Sequence, residues 1–104
     1  MNPAIDRIYI SNEDVKLENA LSGDEGTDVI VSMKSGEKFH ASFFSFDSLE
    51  GLRQRHFKSG EFLHGAYFWS KRMVLVQDCS RETIEKVVVN LLEEGELWEA
   101  FMRL

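Results

Sequence analysis

The chain has 104 residues and a single cysteine, Cys79, so no disulfide can form within it. A disulfide-stapled scaffold is excluded, and nothing points to an oxidising compartment. The sequence also lacks any apolar run near the ~20 residues that span a bilayer. The opening residues Met1-Asn2-Pro3-Ala4-Ile5-Asp6 have neither the basic nor the apolar region of a secretory signal. The expected location is the cytoplasm, with no membrane association. Cationic surplus is missing too: 12 Lys and Arg stand against 18 Asp and Glu, a net charge of -6. General affinity for phosphate backbones or anionic lipid needs the opposite balance, so nucleic acid is not an expected partner.

Motifs that carry chemistry are equally scarce. There is no C-x-x-C, no H-E-x-x-H, no G-x-x-x-x-G-K-[ST], no G-x-G-x-x-G and no G-x-S-x-G. The three histidines, His40, His56 and His64, have no second ligand at metal-binding spacing. Asp24, Glu25 and Asp28 form an acidic group, but Gly26 is out of register for a calcium loop and no distal Glu follows. No metal, cofactor or catalytic residue is expected. Cys79 precedes a helix start, where backbone N–H groups favour a thiolate, yet Asp78 opposes it. A phosphatase-type loop would need arginine six positions on, where Glu85 stands.

What the chain does have is apolar mass: 43% hydrophobic residues, including eight phenylalanines, which is far above a disordered composition. A chain of this length buries about two thirds of its unfolded surface. One domain, 1–104, is expected.

Periodicity assigns the elements. Arg7–Ile10 reads as a short strand. Glu13–Leu21 is either extended or a helical turn or two, and 22–27 reads as a loop. Val29, Val31 and Met33 alternate with polar neighbours, as do Phe39, Ala41 and Phe43, around the turn Lys34-Ser35-Gly36-Glu37. That is a hairpin. Asp47 and Glu50 have capping-box spacing and predict a helix to Gly60 with Phe46, Leu49, Leu52 and His56 or Phe57 inward. Ala66–Trp69 and Met73–Gln77 are rich in strand formers and predict a second hairpin. Ser80 caps a helix with Ile84, Val87, Val88, Leu91 and Leu92 on one face, ended by Gly95. Leu97, Trp98, Phe101 and Met102 give a last short helix. The expected fold is α+β: a mainly antiparallel sheet of 4–5 strands with two main helices and a short C-terminal helix, packed mostly on one face.

The run Phe39-x-Ala41-x-Phe43-Phe44, Leu52 and Ser59-Gly60-Glu61-x-Leu63-x-Gly65-x-Tyr67-Phe68-Trp69 resembles small stand-alone bacterial proteins without an assigned activity. The likeness covers about 28–95 and implies no catalytic residues.

Two aromatic groups, Phe43/Phe44/Phe46 and Tyr67/Phe68/Trp69, flank the basic helix with Arg53, Arg55 and Lys58; the stretch from Asp47 to Arg72 holds five bases in all, with Lys71 and Arg72. Consecutive aromatics on a strand point to both faces, so full burial needs helices on both sides or a partner. The reading that follows is a noncatalytic interaction or regulatory protein, of immunity type or otherwise, that binds another protein or a second copy of itself. Its candidate binding residues are Tyr67, Phe68, Trp69, Arg53, His64 and Trp98. The rival is a small enzyme or ligand binder with Cys79, or with His56, His64 and Arg53, converging in one pocket.

Overall fold

The computed structural model describes residues 2–11 and 26–104. The elements read from Glu13–Leu21 and most of the 22–27 loop lie outside them. The architecture is α+β, with a five-stranded, mainly antiparallel sheet that is not closed into a barrel. In chain order the elements are β1 (Ile5–Ile10), β2 (Thr27–Met33), β3 (Lys38–Ser45), α1 (Phe46–Ser59), α2 (Glu61–Gly65), β4 (Met73–Val76), α3 (Arg81–Glu93), α4 (Leu97–Ala100) and β5 (Met102–Arg103).

The β2–β3 hairpin forms as its period of two dictates. Val29 faces Ala41 and Val31 faces Phe39 across the ladder. Gly36, at φ 96, closes the turn, which needs a residue free of a Cβ. β1 pairs antiparallel with β2. The inner face (Ile8, Ile10, Val29, Val31, Phe39, Ala41 and Phe43) packs on Ile84 and Val88 of α3 and on Leu97 and Phe101. Ser80 caps α3 through its hydroxyl, which accepts the Thr83 N–H.

Three expectations require correction. Ala66–Trp69 is not a strand and forms no hairpin with Met73–Val76. β4 instead runs parallel to β3, Ser42 opposite Met73 through Ser45 opposite Val76, after a crossover through α1 and α2. Strand propensity in Tyr67-Phe68-Trp69 reports side chains that pack on a half-buried surface, and here that surface is α1. Second, α1 is capped by Ser45, whose Oγ accepts the Ser48 N–H at 3.0 Å, two residues before the expected Asp47. Third, the tail continues past α4 into β5, which pairs antiparallel with Phe39 and His40. β3 therefore carries two strands on one side: β5 along its first half and β4 along its second.

The cap assignment is testable. Ser45→Ala should cost about 1 kcal/mol in urea unfolding, whereas Asp47→Asn, which alters only first-turn charge, should stay within about 0.5 kcal/mol. Equal losses for the two variants would contradict the geometry.

Candidate interaction surface

Phe43 and Phe44 are both buried on β3, and adjacent strand residues face opposite ways. Phe43 enters the main core, edge-on to Phe101 at 5.9 Å. Phe44 starts a second apolar group on the other face, with Phe68 at 5.4 Å. Leu52 and His56 of α1 join it; they are the two buried residues of that helix. The choice left open between His56 and Phe57 falls to His56, and Phe57 is exposed. His56 is only 5% exposed and stacks between Phe62 at 4.8 Å and Phe68 at 5.9 Å. Its Nδ1 is buried without a hydrogen-bond partner among the described residues.

The segment after α1 is a short element, Glu61–Gly65. It is a turn of left-handed helix. Phe62, Leu63 and His64 all have φ of 51 to 58° and ψ of 39 to 50°, between Gly60 and Gly65, which also have positive φ. For a residue with a Cβ this region costs roughly 1–2 kcal/mol. Such runs persist only where surrounding contacts over-determine them. Here Phe62 is the anchor, 5.2 Å from Phe68 and 5.3 Å from Tyr67 as well as against His56. The turn's backbone also closes tightly on α1: a Cβ on Gly65 would lie 2.6 Å from the Arg53 carbonyl oxygen. His64 Nδ1 donates to the Phe57 carbonyl at 3.3 Å. With Phe62 turned inward, Leu63 is turned out and is 74% exposed.

Between α1 and the 65–68 segment lies a groove of about 290 Å³, lined by Phe46, Leu49, Glu50, Arg53, Gly65, Ala66, Tyr67 and Phe68. Its apolar wall is open to solvent: Phe46 is 58% and Tyr67 51% exposed. Its polar rim is a two-pronged ion pair, Arg53 Nε and Nη2 donating to the Glu50 carboxylate at 3.0 and 2.7 Å. Hydrogen bonds from Arg53 and from Gln54 lower the Glu50 pKa to about 2.

Of the candidate residues, Arg53, Tyr67 and Phe68 line this one groove. His64 and Trp69 are exposed on the neighbouring turn and segment without lining it. Trp98 belongs elsewhere: it sits on α4, edge-on to Phe39 at 5.0 Å. The pocket needed by the rival reading is not assembled here, since the groove holds Arg53 without His56 or His64. Cys79 packs against the main core, its thiol 3.9 Å from the Phe43 carbonyl. Burial, and then Asp78, raise its pKa, which favours the unreactive thiol. His40 sits on the outer sheet face with Nε2 at 3.0 Å from Asp28 Oδ1.

Neither Phe62 nor Leu63 is among the candidate binding residues read from the sequence. The signal was present as two glycines bracketing four residues, Gly60 and Gly65. Among the described residues no group of His, Cys, Asp and Glu is placed to hold a metal ion, and no helix is long and apolar enough to cross a membrane. Comparisons of the chain with protein-family models, curated proteins and solved structures return no match.

Two measurements check this geometry. Gly65→Ala combines a left-handed φ with a backbone clash, so it should cost more than about 2 kcal/mol; Gly36→Ala has open space and should lose less. For Glu50, a carboxyl held below its ordinary value stabilises α1 above the unfolded pKa, and that contribution fades as pH falls toward 2. A carboxyl NMR titration should place its midpoint near 2, and Arg53→Gln should return it toward 4.5.

Proposed function

We propose that this chain is a noncatalytic protein-binding module of the cytoplasm, whose contact surface is the groove between α1 and the 65–68 segment together with the left-handed turn. The observation that carries this reading is the turn itself. Backbone strain is held in place by the ring contacts of Phe62 with His56, Tyr67 and Phe68, and it leaves Leu63 exposed on the turn that leads from α1 into the groove's 65–68 wall. Exposed aromatic and leucine side chains around a polar rim with an Arg are the composition of a contact surface. Strain at such sites is retained for function rather than stability.

The groove calls for an inserted apolar side chain from the partner. The net charge of -6 favours a partner of basic surface, as an immunity-type protein would meet in a basic toxin, because complementary charge speeds encounter. The lone cysteine, half-buried and held as a thiol, accords with a reducing compartment.

The test separates strain from binding. Leu63→Gly removes the steric penalty of φ 53, so its stability should match or exceed the parent by up to about 1 kcal/mol. A photo-crosslinking residue at position 63 should trap a partner of one defined mass in the native host cell. One at Glu82, exposed on α3, should not. Tyr67→Ala should abolish the adduct at position 63. Identical patterns from positions 63 and 82, or an adduct indifferent to Tyr67, would refute the assignment.

A further inference from the structure

The left-handed turn carries two local costs, and one movement relieves both. Phe62, Leu63 and His64 hold a backbone conformation that residues with a Cβ adopt at a penalty. Beside them the His56 ring, stacked on Phe62 and Phe68, keeps its Nδ1 buried and without a hydrogen-bond partner among the described residues. Phe62 belongs to both. It sits within the left-handed run, and its ring lies 4.8 Å from the imidazole. Withdrawing it lets the backbone return to negative φ and opens the imidazole to water. What holds it is its packing on His56, Tyr67 and Phe68.

The sequence holds a ready alternative. α1 buries Leu52 and His56. Carried past residue 60 at helical pitch, the same face reaches Leu63: Leu52, His56 and Leu63 stand at i, i+4 and i+11, close to three whole turns of 3.6 residues. Phe62, one residue earlier, would swing about 100° off that face. The observed turn reverses the two, with Phe62 packed and Leu63 74% exposed. Gly60 stands where the two courses part. Its φ of 88° ends α1, and without a Cβ it enters the right-handed region as readily. Gly65, at φ 79°, is the second pivot.

We propose that residues 60–65 form a two-state latch. In the closed state the left-handed turn seats Gly65 against the Arg53 carbonyl and lays residues 65–68 along α1. In the open state α1 runs on through Gly60, Leu63 takes the face of Leu52 and His56, and Phe62 leaves the imidazole. Gly65, Ala66, Tyr67 and Phe68 are one wall of the groove, so the groove exists in the closed state alone. Any ligand of the groove binds that state only and draws the equilibrium toward it. The latch is a property of the free chain. Its test needs no partner, so it stands or falls separately from the binding reading.

Relaxation-dispersion NMR on the free chain should show one minor state, populated at about 0.1–10% and exchanging in microseconds to milliseconds. The exchange should be confined to the amides of residues 60–66 and the side chains of His56 and Phe62. The minor-state Cα shifts of residues 61–64 should be those of right-handed helix. Gly60→Ala adds a Cβ at φ 88° and favours helix, so it should raise the open population on the order of tenfold or more. Nuclear Overhauser contacts between Phe62 and His56 should weaken in that variant, while those between Phe43 and Phe101 persist. Leu63→Gly acts the other way: it removes the penalty at φ 53° and disfavours helix, so it should quench the exchange. Flat dispersion profiles through residues 60–66 of the parent overturn the proposal. So do minor-state shifts of unfolded chain, exchange that runs through all of α1, or a Gly60→Ala chain that loses stability with the shifts of residues 61–64 unchanged. If Gly60→Ala fails to fold, the parent's minor-state shifts and Leu63→Gly decide.

Discussion

Neighbouring side chains on a strand cannot share a face, and β3 applies that constraint to two consecutive phenylalanines. Phe43 closes the main core against Phe101; one residue later Phe44 leaves on the other side and meets Phe68. Both are buried. The arrangement commits the protein to two apolar bodies joined at a single pair of residues. The larger is sheet against α3 and α4. The smaller is α1 and its left-handed turn, gathered around Phe44, Leu52, His56, Phe62 and Phe68. Had Phe44 been polar, α1 would have had little on the sheet to hold it. Gly26 completes the junction: a Cβ there would overlap the Phe44 ring at 2.6 Å.

The second body is where the chain accepts local cost. Three residues with Cβ atoms lie in the left-handed region, a buried imidazole nitrogen lacks a hydrogen-bond partner among the described residues, and large apolar side chains face solvent. The first body shows less of it: Arg72, just before β4, has a φ of 51°, and Tyr9, Leu75 and Trp98 are partly exposed. Its strands alternate cleanly, and its long helix has an ordinary serine cap. Departures from local consistency concentrated in one region mark the part of a fold that serves something other than stability.

The sequence exposed the parts of the fold that depend on period. Val29 to Phe43 and Ile84 to Leu92 could be assigned because each has many residues repeating one rhythm, and the α+β class followed. Ala66–Trp69 misled because aromatic residues suit any half-buried surface, and nothing local distinguishes an edge of sheet from the flank of a helix. Ser45 was missed as a cap because Asp47 with Glu50 offered the same spacing, and only the end of β3 decides between them. Three of the candidate binding residues, Arg53, Tyr67 and Phe68, do share one groove. Their meeting depends on the left-handed turn reversing the chain against α1. That turn arises from Phe62 packing and the close approach of Gly65, which are contacts in space without a periodic signature. Trp98 drew attention by residue type alone, and it belongs to the core side.

Because α1 and its turn touch each other extensively but reach the sheet chiefly at the end of β3, they form a cooperative unit of their own. Opening this unit would detach the Phe44–Phe68 contact and release the strained backbone while leaving Phe43 seated. Amide hydrogens of α1 should then exchange at a lower free energy than those of β2 and α3. The molecule would carry an inner scaffold of high protection and an outer flap that samples solvent independently, so the left-handed turn and the groove beside it can change shape without endangering the fold.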